Sequence, residues 1–344
     1  MLMKFLRFLL FPFAIIYNVV TTIRNFFFDV SIFKSTSFQI PVFVVGNLSV
    51  GGTGKTPQIE YLRKLLKDRF KVSVLSRGYK RETKGFVLLI DTHSALEVGD
   101  EPLQYFKKFK NINVAVHANR VEGVSNLVEK KNPEVILLDD AYQHRKIKGS
   151  FYILLTKYND LFTDDFLLPT GNLRESRSGA KRADLIIVTK CPSDLNNQQQ
   201  EKIKRKVNKY KKEVFFTTIS YGNILSKENT ITIDELKHYE VLLITGIATP
   251  KPLLDFLSDK NIGFNHLKYG DHHNFSSTEI SEIQQEFDKI ESNQKIILTT
   301  EKDFVRLEKK LANLHYIEIE TSFLGNQNEG FNQRIMSHIQ QNRC

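Results

Sequence analysis

Residues 42–62, VFVVGNLSVGGTGKTPQIEYL, carry the most specific chemical signal in the chain. An apolar run stops at a Gly-rich stretch, and Lys55-Thr56 opens a helical pattern. Gly51, Gly52 and Gly54 let backbone N–H groups turn inward around phosphate oxygens. Lys55 sets a cation near the outer phosphates, and the Thr56 hydroxyl can ligate Mg²⁺. The N-terminus of the following helix adds its partial positive charge. The strict pattern G-x-x-x-x-G-K-[ST] would place a glycine at position 49, where this chain has Ser49. A glycine turn that binds no phosphate is the competing explanation, and the strand-before, helix-after context argues against it. The nucleotide-binding stretch is read as Asn47, Ser49, Val50, Gly51, Gly52, Thr53, Gly54, Lys55 and Thr56.

A phosphate loop needs a carboxylate on a neighbouring strand. In EVILLDDAYQH, Asp139 and Asp140 follow four apolar residues, as a cation-holding pair would, although two adjacent Asp can also form a solvated turn. VGDEPLQYF sets Asp100 and Glu101 before a proline, which suits a helix cap as well as a catalytic acid or base. KYGDHHNFS brings Asp271, His272 and His273 together. Adjacent histidines cannot form an i,i+4 metal pair, and loop residues are the plain alternative. LLPTGNLRESRSGAKRAD supplies Arg174, Glu175, Arg177, Lys181 and Arg182, a solvated face or a clamp for anions.

The elements that must position these groups form an alternating series. QIPVFVVG, KVSVLS, INVAV, EVILLDD, SFYILLT and ADLIIVTK are continuous apolar runs, the form of strands buried on both faces. Helical patterns separate them. The order predicts an α/β fold: a doubly wound, mostly parallel P-loop sheet domain over 31–220. A polar linker is expected at 221–239, and a second, smaller α/β domain at 240–344.

The chain has 344 residues, 41% hydrophobic and 26% charged, which excludes a disordered protein. Two cysteines, Cys191 and Cys344, have no metal-type spacing and fit a reducing compartment. The formal charge of +10 calls for an acidic partner or surface. The basic run KIKRKVNKYKK is read as a solvated helix face, so nucleic acid is not an expected partner. Residues 1–30 instead read as an amphipathic membrane helix. Lys4, Arg7 and Arg24 flank a stretch of 16 uncharged residues, about 24 Å as a helix and shorter than the ~30 Å hydrocarbon core. No small-residue cleavage site follows, and a helix lying in the interface, with burial as the main term and charge as the guide, is preferred to one that spans.

The runs VGNLSVGGTGKTP, VLSRGYKR, VGDEP, LDDAYQHR, LLPTGNLRE, RADLIIVTK, DHHNF and LTTEKD occur together in one order across most of residues 41–305. In that set the chain resembles the tetraacyldisaccharide 4′-kinases of lipid A biosynthesis, whose phosphate loop also carries Ser at the position of Ser49. One departure is DDAYQH where DDGFQH is commoner; Ala141 there asks for a backbone without positive φ. The resemblance implies ATP-dependent phosphorylation, with ATP and Mg²⁺, of the 4′-hydroxyl of a membrane lipid, a tetraacylated glucosamine disaccharide 1-phosphate. It implies a monotopic protein on the anionic cytoplasmic face of the inner membrane. By the same carry-over Asp100 is the base, tuned by His272. Thr56, Asp139, Asp140 and Glu175 hold the cation, and Lys55, Arg120 and Arg174 neutralise phosphoryl charge. Glu301 to Asp303 would bound the nucleotide base. A membrane-associated P-loop ATPase that drives a conformational change is the alternative; it would need neither Asp100 nor His272.

Overall fold

The computed structural model describes residues 7–109, 112–226, 229–271 and 273–342. Lys4, His272 and Cys344 lie outside the described residues. An apolar helix, Phe11–Asp29, precedes the strands and has Pro12 in its opening turn. The first series of strands is β1 (Val42–Asn47), β2 (Val72–Ser76), β3 (Val87–Leu88), β4 (Asn113–Val116), β5 (Val135–Asp139), β6 (Phe151–Lys157) and β7 (Leu185–Thr189). The second is β8 (Glu213–Leu225), β9 (Thr230–Ile231), β10 (Glu240–Thr245), β11 (Phe264–Lys268), β12 (Lys295–Thr300) and β13 (Leu314–Phe323).

All the apolar runs read as strands are strands, and β1 lies between β5 and β6, parallel to both. Alternate residues of each strand enter different cores. Phe43, Val45, Leu137 and Ile153 pack on one face of the sheet; Val42, Val44, Leu138 and Leu154 pack on the other. Covering on both faces is why these strands lack the polar alternation of a half-exposed sheet.

The two series join in one sheet of order β11-β10-β12-β13-β8-β7-β6-β1-β5-β2-β4-β3. The joint is β8. Its first residues run parallel to β7, from Glu213 to Phe216, and its remainder pairs antiparallel with β13. The polar residues Tyr221, Gly222 and Asn223, expected in a linker, are therefore strand. Tyr221 is half-buried and Asn223 exposed, and a strand so little covered has the composition of a connection. The helix Gln327–Gln341 also returns to the first series, burying Phe331, Ile335 and Ile339 in the same core as Phe43.

Candidate active site

β1 delivers Asn47 to the C-terminal end of the central strands, and after seven intervening residues the helix Lys55–Leu66 begins. Gly51 (φ 98°) and Gly54 (φ 84°) take the left-handed backbone that side chains disfavour. Gly54 is the residue that turns the loop into the helix. Three segments brace this loop from outside. Val50 N–H donates to Asn172 O (2.8 Å) and Arg174 N–H to Leu48 O (2.7 Å). Gln143 Nε2 donates to Asn47 O (2.8 Å), and the Thr189 hydroxyl to Thr53 O (2.8 Å). Among the described residues, no protein acceptor takes the N–H groups of Gly51, Gly52, Thr53 or Gly54. Gly46 serves a different end. A Cβ there would come within 2.6 Å of Tyr142 Cβ, so its absence lets the DDAYQH turn close on the loop.

That turn carries the two carboxylates. Asp139 pairs in register with Val45 across the β1–β5 ladder and is buried at 1% exposure. Ser76 Oγ donates to its Oδ2 (3.1 Å), while Oδ1 has no hydrogen-bond partner. Burial pushes its pKa up to about 7; Glu101 and Asp140 add to the shift, and Lys55 and Ser76 oppose it. A buried carboxylate with an open oxygen, on the strand next to the one that feeds the phosphate loop, is a donor that fits a hard divalent cation. Asp140 differs. Arg174 grips both its oxygens (3.0 and 3.1 Å), and Lys55 Nζ lies 3.6 Å away. Burial pushes its carboxyl up, but Lys55 and Arg174 outweigh that and hold it below the usual range. The positive φ of the turn falls on Asp140 (47°), so Ala141 is not the strained residue.

Arg120 opens the helix Arg120–Lys131 and is almost fully buried. It donates to His117 O (2.7 Å) and Ala118 O (3.3 Å). Burial lowers its guanidinium to about 10 against the pull of Asp139 and Asp140. Glu175 is near-buried, and its oxygens accept from Arg182 (2.7 Å), Gln143 (3.1 Å) and Asn25 (2.8 Å). Expected among the cation ligands, it is engaged by three protein donors and braces the turn beside the loop.

Asp100 starts the helix Asp100–Lys108. Arg306, on the helix Glu301–Leu307, donates to it through two nitrogens, with Nε at 2.7 Å from Oδ1. Arg306 also donates to His273 O (2.9 Å), tying the histidine loop to Asp100. His273 itself pairs with Glu279 (2.8 Å). Glu301 and Asp303, expected beside the nucleotide base, are buried in other contacts. Glu301 accepts from Gln104 and Lys108; Asp303 accepts from Gly246 N–H and the Thr300 hydroxyl, both at 2.8 Å.

The sequence matches the family model described as tetraacyldisaccharide-1-P 4′-kinase over residues 6–340. The chain belongs to that family. A tetraacyldisaccharide 4′-kinase of Flavobacterium psychrophilum is 52% identical over 98% of both chains. That of Flavobacterium johnsoniae is 49% identical over 99% of both. Among solved structures, LpxK from Aquifex aeolicus in complex with ATP superposes with a TM-score of 0.79 at 30% identity, covering 97% of this chain and 99% of that one.

Within this member of the family the structure adds residues that sequence reasoning left without a role. Gln143 lies in the DDAYQH run and could have been singled out as a polar residue one turn past the carboxylates. Thr189 closes the strand β7, and only the β1–β6–β7 order brings it to the loop. Glu101 faces Asp139 closely enough to raise its pKa, whereas its neighbour Asp100 faces Arg306. Lys190 follows with a left-handed backbone (φ 57°); desolvation first, then Lys157 and Lys55, lower its ammonium.

Proposed function

We propose that this chain moves the γ-phosphoryl group of ATP to the 4′-hydroxyl of a tetraacylated glucosamine disaccharide 1-phosphate, a lipid A precursor, with the site just described as its centre. Family membership over residues 6–340 carries the activity. The ATP held by the Aquifex aeolicus relative supports the nucleotide. A phosphotransferase is thereby favoured over an ATPase that drives a conformational change.

The N–H groups of Gly51 to Gly54, with Lys55, receive the outer phosphates. Asp139 and Thr56, with Asp140 behind them, would hold Mg²⁺, which supplies charge neutralisation on the transferred group. Arg174 and Arg120 complete the positive field, in a site where burial strengthens each interaction. Asp100 accepts the proton of the attacking hydroxyl. To do so it releases one oxygen from Arg306, and His272 acts as its partner.

The apolar helix Phe11–Asp29 is long enough to cross a bilayer by length and composition. Its inward side is nonetheless fastened to the protein at Tyr17, Arg24 and Asn25, while Phe13, Ile16, Val20 and Ile23 are exposed. Contacts spread over so many turns favour a helix lying in the lipid interface, monotopic, at the anionic cytoplasmic face of the inner membrane.

The test is transfer of label from γ-labelled ATP to the acceptor in micelles, with Lys55→Ala and Asp100→Ala alongside. Labelled lipid that disappears in both variants supports the assignment. Hydrolysis without labelled lipid, indifferent to Asp100→Ala, refutes it.

A further inference from the structure

The helix Phe11–Asp29 is amphipathic in an inverted sense. The side chains that are not exposed are Ala14, Tyr17, Asn18, Thr21, Asn25, Phe27 and Phe28, so four of these seven are polar. Most of the apolar residues, among them Phe13, Ile16, Val20 and Ile23, face outward. Apolar packing alone would hold a helix in place. Half-burying an amide and a phenol is unfavourable unless they find partners; the Tyr17 hydroxyl and Asn25 Nδ2 find theirs in residues of the site, while Asn25 Oδ1 has none among the described residues.

Two chains of hydrogen bonds run inward. Tyr17 Oη donates to the carbonyl of Arg174 (2.7 Å). The Arg174 side chain grips Asp140 (3.0 Å), and Asp140 faces Lys55 (3.6 Å). In the second, Asn25 Nδ2 donates to Glu175 Oε2 (2.8 Å). Gln143 bonds both Glu175 Oε1 (3.1 Å) and the carbonyl of Asn47 (2.8 Å), where the phosphate loop begins. Arg24 adds a bond to Gln143 O (3.0 Å). Both ends of the loop are thus reached from one helix.

We propose that Tyr17 and Asn25 are positioning residues for phosphoryl transfer, so that the seat of the apolar helix sets the geometry of Lys55, Asp140 and the loop. The inference rests on reading those residues as the phosphoryl machinery. Bonds of 2.7–2.8 Å do not survive a shift of about 1 Å, and discrete networks of this kind carry coupling between sites.

The experiment measures kcat, KM for ATP and KM for the acceptor in the full chain. Cosedimentation with phosphatidylethanolamine–phosphatidylglycerol vesicles and melting temperature are read in parallel. Asn25→Ala and Tyr17→Phe are expected to lower kcat about tenfold, the worth of one hydrogen bond in a charged network. Vesicle binding and acceptor KM should stay unchanged. Asn25→Asp, nearly isosteric, should be worse than Asn25→Ala because it opposes a carboxylate to Glu175. Ile23→Ser, on the exposed face, should weaken vesicle binding and raise acceptor KM at constant kcat. Wild-type kcat in Asn25→Ala and Tyr17→Phe overturns the proposal. So does an Asn25→Asp milder than Asn25→Ala, the order a packing role gives. Should the Asn25 variants not fold, Tyr17→Phe, which deletes one oxygen, decides alone. If Lys55→Ala and Arg174→Ala also keep full transfer, the site assignment has failed rather than the coupling.

Discussion

Two strand-to-helix junctions in the same sheet show what a phosphate site requires. Between β1 and the helix Lys55–Leu66 lie seven residues, two of them left-handed glycines. Between β12 and the helix Glu301–Leu307 there are none, and Thr300 itself caps the helix by accepting from Asp303 N–H. Each junction has a nearby buried carboxylate, Asp139 or Asp303, and burial raises both. Asp303 spends an oxygen on Gly246 and Thr300. Asp139 has Ser76 alone, with Lys55, Arg120 and Arg174 gathered around the pair it forms with Asp140. The scaffold is common to both; the inserted loop and the surrounding cations are what single out one of them as the proposed nucleotide site.

The contrast breaks most sharply at Lys55. Lys55→Ala should lower kcat about 10³-fold, read by label transfer to the lipid; a tenfold effect would mean the cation is dispensable. Asp100→Asn should cost about 10²-fold, the range of general base catalysis, with ATP affinity by calorimetry unchanged. Equal loss of ATP affinity would place Asp100 in nucleotide binding instead. Gly54→Ala forces a side chain into left-handed backbone at about 1–2 kcal/mol, so KM for ATP should rise about tenfold. Asp139 yields a prediction of opposite sign for stability. Its folded pKa of about 7 lies above the ordinary 3.8, so between those values the folded state holds the extra proton. Stability then falls as pH rises through that window. With chelator at pH 8, Asp139→Asn should melt about 3 °C above the parent while losing transfer; a lower melting point would show that the carboxylate is not destabilising. The smallest effect belongs to the closed junction. Thr300→Ala removes a cap worth about 1 kcal/mol, lowering the melting temperature slightly with kcat untouched.

Sequence reached the open junction more easily than the closed one. Glycines, Lys55 and Thr56 act through backbone conformation and charge at fixed spacing, so a string of residues expresses them. Asp139 was legible because an apolar run fixes the end of its strand. Arg120 carried no such signal; its role came only through the resemblance, and its burial depends on β2, β4 and β5 meeting. Glu175 shows the opposite limit. Its place among the cation ligands came only through the resemblance, and nothing local reveals that Asn25, 150 residues earlier, and Arg182 converge on it. The joint between the two strand series escaped for a related reason. β8 changes partner along its length, from β7 to β13, and a strand half exposed on its far stretch has the composition of a connector.

That shared strand has a mechanical consequence. Asp100 and Arg306 belong to opposite sides of it, yet no loose tether separates them: β8 is one unbroken ribbon, hydrogen-bonded along both lengths. Such a ribbon resists swinging and yields in torsion. Any relative movement of the two sides would then come as a twist spread over many peptide units, small at each.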